Sequence, residues 1–267
     1  MKRNDIVTVS QYVSKYSNIK KRKENHYERF EKKHPASVLQ RRQALCYGYR
    51  PAYVGLVEGL EDPLGKVRKY KDSKLDAFLL NVGIANLVEE DILNKKLILR
   101  TSAGGSFCAS EFSSMQKNHV SPEVALAMGA DAVVMMITIG GADYNYIQDT
   151  AASIDRYHRL NIPVIVEVLA DDFSKTQSFE IQANGARIAA ELGADVVKAF
   201  YTERFEEVVS NCPVPIVLAG GPKGKDIAEI AADAVRCGVK GFCFGRNLYQ
   251  NDDASELIET LDKILRG

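Results

Sequence analysis

Short apolar runs alternate with segments of helical periodicity from about residue 41 to the end of the chain. Runs of four to seven residues that are rich in Val, Ile and Leu are typical of strands buried on both faces of a parallel sheet. Helical patterns such as Asn184–Leu192 and Asp226–Arg236 lie between them. The pattern predicts strands at Ala44–Tyr47, Ala77–Val82, Lys96–Thr101, Ala132–Thr138, Val164–Leu169, Val196–Phe200, Pro215–Ala219 and Gly241–Phe244.

A repeated turn supports this alternation. Gly-Ala-Asp stands before two of the predicted strands, at 129–131 and 193–195, and Gly-Val-Lys stands before the last one. Glycine suits the left-handed position that closes a helix. Eight strands that are each followed by a crossover match a closed barrel better than an open doubly wound sheet, which typically has fewer strands and an early glycine fingerprint. We therefore predict a TIM-type (β/α)8 barrel over residues 41–267.

Residues 1–40 differ from the rest of the chain. From Met1 to His34 there are ten Lys or Arg residues against four Asp or Glu residues, and few residues that could fill a core. Ile6, Val9, Val13 and Tyr16 recur at helical spacing, which predicts an amphipathic helix. We expect a basic helical extension outside the barrel, in which a solvated helix face or a subunit contact is favoured over a polyanion site.

The chemistry of a β/α barrel lies at the C-terminal ends of its strands. Lys198 stands near the end of the sixth predicted strand, in Asp195–Tyr201. Burial there is costly for an ammonium group and favours the neutral amine, which can attack a carbonyl to form a Schiff base. A lysine that merely extends its ammonium group to water is the alternative. The other polar candidates at strand ends are Cys46, Tyr47, Asn81, Arg100, Thr101, Ser102, Thr138, Asp143 and Glu167.

The seventh and eighth strands both end in glycine. Gly220 and Gly221 follow one strand, and Gly245 with Arg246 follows the other. Barrels most often hold phosphate at these two loops, where glycine lets backbone N–H groups approach an anion and arginine adds a fork of donors. The paired glycine-rich ends predict a phosphate site rather than simple turns.

Composition excludes several other functions. The net charge is zero, so no nucleic-acid or membrane partner is expected. No apolar run approaches the length of a membrane span, and the start of the chain lacks the apolar stretch of a signal peptide. Five cysteines without a CxxC pair suit a reducing cytoplasm, and the scattered histidines give no metal-site spacing. We expect a cytoplasmic protein that needs no metal and no cofactor.

Three segments resemble the archaeal-type class I fructose-bisphosphate aldolase family, which also includes the autoinducer-2 phosphate thiolase and the aminodideoxyheptulosonate synthases. They are Asp195–Tyr201, Cys212–Gly221 and Gly245–Gln250, and weaker similarity runs from about Leu45 to the C-terminus. The resemblance implies a metal-free barrel that often assembles as a decamer. It implies that Lys198 is the Schiff-base lysine and that the two glycine-rich ends, with Arg246, bind the phosphate of the substrate.

The chain departs from that family at two strand ends. The family's first strand usually ends in Asp-His-Gly, whereas this chain has Cys46-Tyr47-Gly48. The family's fifth strand has a proton-shuttling tyrosine where this chain has Leu169, and Glu167 replaces a family aromatic residue. Because residues two apart share one face of a strand, Glu167 and Leu169 should both point inward. A changed reaction or substrate is the interpretation that these departures favour.

The roles of the remaining candidates stay open. Glu167 is either a general acid/base near Lys198 or a structural ion-pair partner that keeps the lysine charged, which would argue against Schiff-base chemistry. Tyr47 either replaces the missing proton donor or packs in the core. Arg100 either holds an anionic group of the substrate or pairs with Asp143. Ser102 and Asp143 complete the predicted substrate-binding set because they lie at strand ends that resemble the family's third and fourth.

Two classes of function follow from this sequence. One is a class I aldolase-like enzyme that uses Lys198 to make or break a carbon–carbon bond in a phosphorylated keto substrate, with thiolase-type acyl transfer on a phosphorylated diketone as the variant reaction. The other is a barrel that binds phosphorylated metabolites without catalysis. The expected partner is a phosphorylated small molecule, and the expected assembly is a homo-oligomer.

Overall fold

The computed structural model describes residues 43–50, 55–106, 108, 116–220 and 226–267. The predicted N-terminal helical extension lies outside the described residues. All eight predicted strands are present, each within two residues of the predicted bounds at either end. They are β1 (Ala44–Gly48), β2 (Ala77–Asn81), β3 (Lys96–Arg100), β4 (Ala132–Ile139), β5 (Val164–Ala170), β6 (Val196–Ala199), β7 (Ile216–Leu218) and β8 (Gly241–Phe244).

The eight strands form one closed barrel in which every neighbouring pair is parallel. The order around the barrel is β1-β8-β7-β6-β5-β4-β3-β2, so strands that follow one another in sequence are neighbours in space. β1 closes the sheet by pairing with β8, with Cys46 opposite Cys243. The sequence-based prediction of a TIM barrel is confirmed.

Helices connect the strands on the outside of the barrel. Proline or a capping side chain begins several of them: the Asp62 side chain accepts from the Gly65 amide ahead of α1, and the Ser121 side chain accepts from the Val124 amide ahead of α3. The helices are α1 (Pro63–Tyr70), α2 (Val82–Leu87), α3 (Pro122–Ala127), α4 (Asp143–His158), α5 (Phe179–Glu191), α6 (Phe205–Ser210), α7 (Ile227–Cys237), α8 (Arg246–Tyr249) and α9 (Ser255–Arg266). Short 3₁₀ turns lie at Glu89–Ile92 and Phe173–Lys175, and a two-stranded hairpin pairs Ser102–Ala103 with Lys117–Asn118.

The Gly-Ala-Asp turns fix the N-terminal ends of the strands. Gly129 and Gly193 have φ of 69° and 103°, the left-handed values that glycine allows. The aspartate that follows then binds the neighbouring strand: Asp131 accepts from the Leu97 amide at 3.0 Å, and Asp195 accepts from the Val164 amide at 2.8 Å. Asp76 binds Leu45 in the same way, at 2.7 Å. These contacts set the register of the strand pairs from the end opposite the site.

Alternate residues of each strand fill the interior of the barrel. The inward-facing core is apolar and includes Cys46, Ala77, Leu79, Ile98, Ala132, Val134, Ile165, Val196 and Cys243. Residues of the other parity pack against the helices: Gly185 of α5 lies directly against Val168 of β5. This parity decides which side chains at the strand ends face the barrel axis.

Candidate active site

Three buried side chains form an ion-paired cluster at the C-terminal end of the barrel. Lys198 Nζ donates to Glu167 Oε1 at 2.6 Å, and Arg100 Nη2 donates to Glu167 Oε2 at 3.0 Å. The exposed fractions of the three residues are 6%, 5% and 3% for Lys198, Glu167 and Arg100. Each oxygen of one carboxylate thus binds a different cation, out of contact with bulk water.

The strand register explains how these residues meet. Glu167 and Lys198 are direct partners in the β5–β6 pairing, so their side chains lie side by side on the inner face. Arg100 ends β3, and β4 lies between β3 and β5. Its side chain therefore reaches across β4 to Glu167. The predicted inward orientation of Glu167 is confirmed by this contact.

The two cations determine the charge of Glu167. Burial raises the pKa of a carboxyl group, but attraction to Lys198 and Arg100 and the hydrogen bonds from both outweigh it and lower the pKa of Glu167 from 4.5 to about 2. Glu167 is therefore ionised throughout the neutral range. The geometry shows one of its two open roles, the ion pair with Lys198, and the same 2.6 Å contact places Oε1 where it can exchange a proton with the lysine nitrogen, the other role.

Below Lys198 the barrel interior is apolar. A cavity of about 30 Å³ lies between Lys198 and the N-terminal ends of the strands, lined by apolar side chains and the two thiols of Cys46 and Cys243. Burial raises the pKa of both thiols, so they stay protonated fillers rather than nucleophiles. Apart from Glu167, this end of the pocket gives Lys198 little to stabilise a charge.

Among the described residues, one side of the barrel mouth has no inward side chain larger than a methyl group. By strand parity the inward positions at the ends of β7, β8 and β1 are Ala219, Gly245 and Gly48. The glycine-rich ends also come together, because a Cβ atom on Gly220 would lie 3.0 Å from Asn247 Oδ1. Arg246 begins α8 directly after Gly245. This is the region in which the sequence predicts the phosphate; Gly221 lies outside the described residues.

Ser102 and Asp143 have structural partners near the same end. Ser102 Oγ accepts from the Met136 amide at 2.9 Å, which ties the hairpin to β4. Asp143 is the first residue of α4, and its Oδ2 accepts from the Gly140 amide at 3.1 Å. Arg100 forms an ion pair with Glu167, whereas the sequence suggested Asp143 as a possible ion-pair partner.

Tyr47 is not brought to the cluster. It has the opposite parity to Cys46, and its ring packs against Tyr70 of α1 and Phe78 of β2, with centroid distances of 6.3 and 5.5 Å. Burial raises the pKa of its hydroxyl group well above the usual range. Its position supports packing, the other of its two open roles, so we leave Tyr47 out of the mechanism.

Sequence reasoning missed two features of the site. One is the Arg100–Glu167 contact, because nothing in a sequence shows that a side chain of β3 spans β4. The other is Asn247, which lies against Gly220; its place directly after Gly245-Arg246 was the available signal. Among the described residues, no cluster of three or more His, Cys, Asp or Glu side chains could hold a metal ion, and no helix is long and apolar enough to cross a membrane.

Comparisons with characterised sequences agree with this geometry. The family model described as "DeoC/LacD family aldolase" matches residues 25–251. The 2-amino-3,7-dideoxy-D-threo-hept-6-ulosonate synthase 1 of Archaeoglobus fulgidus is 30% identical over 216 residues, which cover 79% of this chain and 80% of that protein. The 3-hydroxy-5-phosphonooxypentane-2,4-dione thiolase of Salmonella typhimurium is 29% identical over 195 residues, which cover 71% of this chain and 66% of the thiolase.

Solved structures give the same relationship. A Schiff-base-forming fructose-1,6-bisphosphate aldolase superposes with a TM-score of 0.73 and 26% sequence identity, over 84% of this chain and 95% of the aldolase. An archaeal fructose-1,6-bisphosphate aldolase superposes with a TM-score of 0.72 and 25% identity, over 84% and 93%. The resemblance seen in the sequence is confirmed, and the chain belongs to the DeoC/LacD aldolase family.

Proposed function

We propose that this chain is a class I aldolase-like enzyme that makes or breaks a carbon–carbon bond in a phosphorylated keto substrate through a Schiff base on Lys198. The observation that carries the proposal is the buried Lys198 at the C-terminal end of β6, 2.6 Å from a carboxylate that stays ionised. A lysine with no chemical task would be expected to reach water from a strand end, and this one is 6% exposed.

The chemistry conserves the charge of the cluster. An ammonium group and a ketone give a protonated imine and one water molecule, so the nitrogen is cationic before and after the reaction. Two of the three ammonium protons end on the former carbonyl oxygen, which departs as water. Glu167 Oε1, 2.6 Å from the nitrogen, takes a proton so that the neutral amine can attack, and it relays both protons to the oxygen. Its negative charge then stabilises the protonated imine. Arg100 keeps Glu167 ionised and fixes its orientation through Oε2.

The protonated imine allows the carbon–carbon bond to break. Electrons of the bond between the carbons α and β to the imine flow toward the cationic nitrogen and leave an enamine, while the hydroxyl on the β carbon loses its proton and that fragment leaves as a carbonyl compound. A proton added to the enamine carbon restores the imine, and hydrolysis of the imine restores Lys198. Glu167 is a weak base while both cations bind it, so we assign the proton transfer at carbon to a group of the substrate or to water. Loss of the family's tyrosine fits this assignment, because Leu169 occupies that position on the inner face of β5 and carries no proton.

A phosphorylated substrate is part of the proposal. The names of the thiolase and of the bisphosphate aldolase refer to phosphorylated compounds. Backbone amides at Gly220 and Gly245, with the side chain of Arg246, are the donors that we assign to the phosphate, and Gly221 completes the loop. Arg100, Ser102 and Asp143 were predicted to bind the substrate as well; we keep them at the edge of the site, with their structural contacts as their main role.

Acyl transfer is the second candidate reaction. A relative named as a thiolase matches 71% of this chain, and the match spans 66% of the thiolase's own length. An acyl transfer uses the same imine, but a thiol attacks the second carbonyl of a diketone. The carbon–carbon bond breaks, the acyl group leaves on sulfur as a thioester, and the enamine carbon takes up the proton that the thiol loses. Product formation that requires an added thiol separates this reaction from aldol cleavage.

We extend the proposal to a homo-oligomer in the cytoplasm. Support for the assembly comes from the family resemblance, which includes decamers, and a native mass at a multiple of 29.5 kDa is expected. Support for the location comes from the cysteines, which are all free. Sedimentation of the purified chain measures the first point directly.

Borohydride trapping tests the function. The chain is incubated with phosphorylated ketones, reduced with borohydride and analysed by peptide mass spectrometry. With a substrate that the enzyme cleaves, or from which it transfers an acyl group, we expect a mass increase at Lys198 from the reduced imine. We expect none in Lys198→Met, whose side chain has a similar length but no amine. A substrate that binds without any adduct would leave the non-catalytic binding barrel as the function. Turnover by Lys198→Met would refute the mechanism.

A further inference from the structure

Five consecutive strands each place one polar side chain inward at the mouth of the barrel. In the order β2 to β6 these are Asn81, Arg100, Thr138, Glu167 and Lys198, by strand parity and by the contacts described above. The ends of the other three strands, β7, β8 and β1, carry only Ala219, Gly245 and Gly48 at their inward positions. The mouth is therefore divided into a polar arc and an arc of backbone.

Two members of the polar arc have no hydrogen-bond partner among the described residues. They are Asn81 Oδ1 and Thr138 Oγ1, and both atoms are shielded from solvent. Arg100, Glu167 and Lys198, by contrast, bind one another. A buried polar atom without a partner is unfavourable in a folded protein, so such an atom in a site calls for an explanation.

Local structure does not use either group. Asn81 occupies the N-cap position of α2, where asparagine commonly binds a helix amide, yet its side chain makes no capping hydrogen bond. Thr138 lies in the regular part of β4, paired with Leu169 of β5, and is fully buried. Valine has the same shape as threonine and suits such a strand position at least as well. Neither polar group is explained by the fold around it.

We propose that Asn81 and Thr138 determine specificity by binding a hydroxyl group of the substrate on the side of the carbonyl opposite the phosphate. This inference rests on the proposed function, which puts the phosphate at β7 and β8 and the reacting carbonyl at Lys198 of β6. A chain held at those two points continues across the mouth toward β4 and β2. The side chain amide of Asn81 and the hydroxyl of Thr138 offer both a donor and an acceptor there.

The neighbouring charges leave this subsite neutral in character. Asn81 is the register partner of Arg100, and Arg100 and Glu167 are held in their own ion pair. Thr138 lies next to Leu169, which is apolar. A hydroxyl group is therefore a better fit at this end than a second phosphate or a carboxylate. The geometry selects for one hydrogen-bonding group on the distal carbon.

Matched ligand pairs test the proposal. Dihydroxyacetone phosphate and hydroxyacetone phosphate differ only in the hydroxyl beyond the carbonyl, and fructose 6-phosphate and 1-deoxyfructose 6-phosphate repeat the comparison with a longer chain. Binding is measured by calorimetry and adduct formation by borohydride trapping. The wild-type protein should prefer the hydroxylated member of at least one pair by roughly tenfold, the worth of about one hydrogen bond.

Thr138→Val and Asn81→Leu should each reduce the preference for the hydroxylated ligand, and the double variant should bind both members of a pair about equally. Binding of the deoxy compound should not weaken.

The midpoint of thermal unfolding gives a second readout. Because Thr138→Val removes a buried hydroxyl that has no partner, the midpoint should stay unchanged or rise, whereas loss of a structural hydrogen bond would lower it.

The outcomes separate this inference from the function on which it rests. A wild-type preference that persists in both variants overturns the inference and leaves the Schiff-base mechanism intact. If the variants lose the preference for the hydroxylated ligand but no compound forms an adduct at Lys198, the subsite is supported and the mechanism is refuted. Equal binding of both members of each pair by the wild-type protein, or a lowered midpoint with unchanged preference in Thr138→Val, also overturns the subsite.

Discussion

Glu167 holds the buried cluster together, because its carboxylate binds two cations at once. Removing one partner of a buried ion pair leaves an uncompensated charge and typically costs about 3–5 kcal/mol. Glu167→Gln leaves both Lys198 and Arg100 without their carboxylate, whereas Lys198→Met leaves Glu167 still bound to Arg100. The glutamate variant should therefore be the less stable of the two.

We predict that Glu167→Gln slows turnover by about 10²–10⁴-fold, since it removes both the proton relay and the counter-ion of the imine. Steady-state kinetics measures the loss, with a substrate that borohydride trapping has identified for the wild-type protein. Glu191→Gln is the control, because its carboxylate forms an exposed pair with Arg187 on α5 and should leave the rate unchanged. Full activity of Glu167→Gln would reduce Glu167 to a structural role.

The stability defect of Glu167→Gln should depend on pH. The pKa of Glu167 is lowered from 4.5 to about 2 in the folded chain, so its ionised form stabilises the fold above the unfolded value. That contribution is lost as the pH falls through the folded value. The difference in unfolding free energy between wild type and variant should thus be constant near neutral pH and shrink from about pH 4.5 downward. Urea denaturation at a series of pH values measures it, and a constant difference down to pH 3 would contradict the assignment.

At the scale of elements, β8 and α8 form the predicted anion site. We predict that Arg246→Ala weakens binding of a phosphorylated ligand by about 1.5–3 kcal/mol, the range for a hydrogen bond to a charged group. Calorimetry with inorganic phosphate and with a phosphorylated ketone measures the effect. Arg236→Ala is the control, since Arg236 pairs with Asp233 on the outside of α7. Unchanged affinity in Arg246→Ala would remove Arg246 from the site.

Helix α5 packs on the barrel through a glycine. A Cβ atom on Gly185 would lie 2.3 Å from Val168 Cγ1, whereas one on Gly83 of α2 would meet nothing within 4 Å. Alanine is favoured over glycine by about 1 kcal/mol within a helix. We predict that Gly83→Ala stabilises the chain by up to about that amount, while Gly185→Ala destabilises it by about 1–3 kcal/mol through overpacking. Urea denaturation of both variants tests the pair. Equal changes in their unfolding free energies would mean that Val168 can move to accommodate a methyl group at the α5 contact.

At the scale of the whole molecule, closure of the barrel depends on the close approach of β1 and β8. A Cβ atom on Gly241 would lie 2.3 Å from the Ala44 carbonyl oxygen, and one on Gly245 would lie 2.7 Å from that of Gly48. Glycine at both ends of β8 therefore lets the two backbones meet.

We predict that Gly241→Ala destabilises the chain by about 1–3 kcal/mol or more, because the added methyl group meets backbone that cannot move without separating the closing strands. Because β7 lies between β8 and β6, the added methyl group should not touch Lys198, and protein that still folds should form the adduct. Thermal unfolding and trapping at a permissive temperature measure the two effects. A variant as stable as wild type would show that the closing pair can relax.

Much of this architecture could be predicted from the sequence because it depends on local patterns. Eight apolar runs with helical segments between them determine a parallel barrel, since each strand must be buried on both faces and each crossover must cover the sheet. The Gly-Ala-Asp turns mark where helices end, although their second function, the binding of a neighbouring strand by Asp131 and Asp195, appears only in the folded chain. Residue type and position at a strand end were enough to single out Lys198 and Glu167.

Tertiary structure alone decided which of those strand-end residues meet. Inward or outward orientation depends on single-residue register, which removed Tyr47 from the site and placed Glu167 beside Lys198. The Arg100–Glu167 contact crosses an intervening strand, so its sequence separation of 67 residues carries no local signal. The sequence determined that a lysine and a carboxylate lie at the C-terminal ends of barrel strands. Only the closed sheet, by fixing parity and neighbours, determined that one carboxylate binds two cations while Asn81 Oδ1 and Thr138 Oγ1 have no hydrogen-bond partner among the described residues.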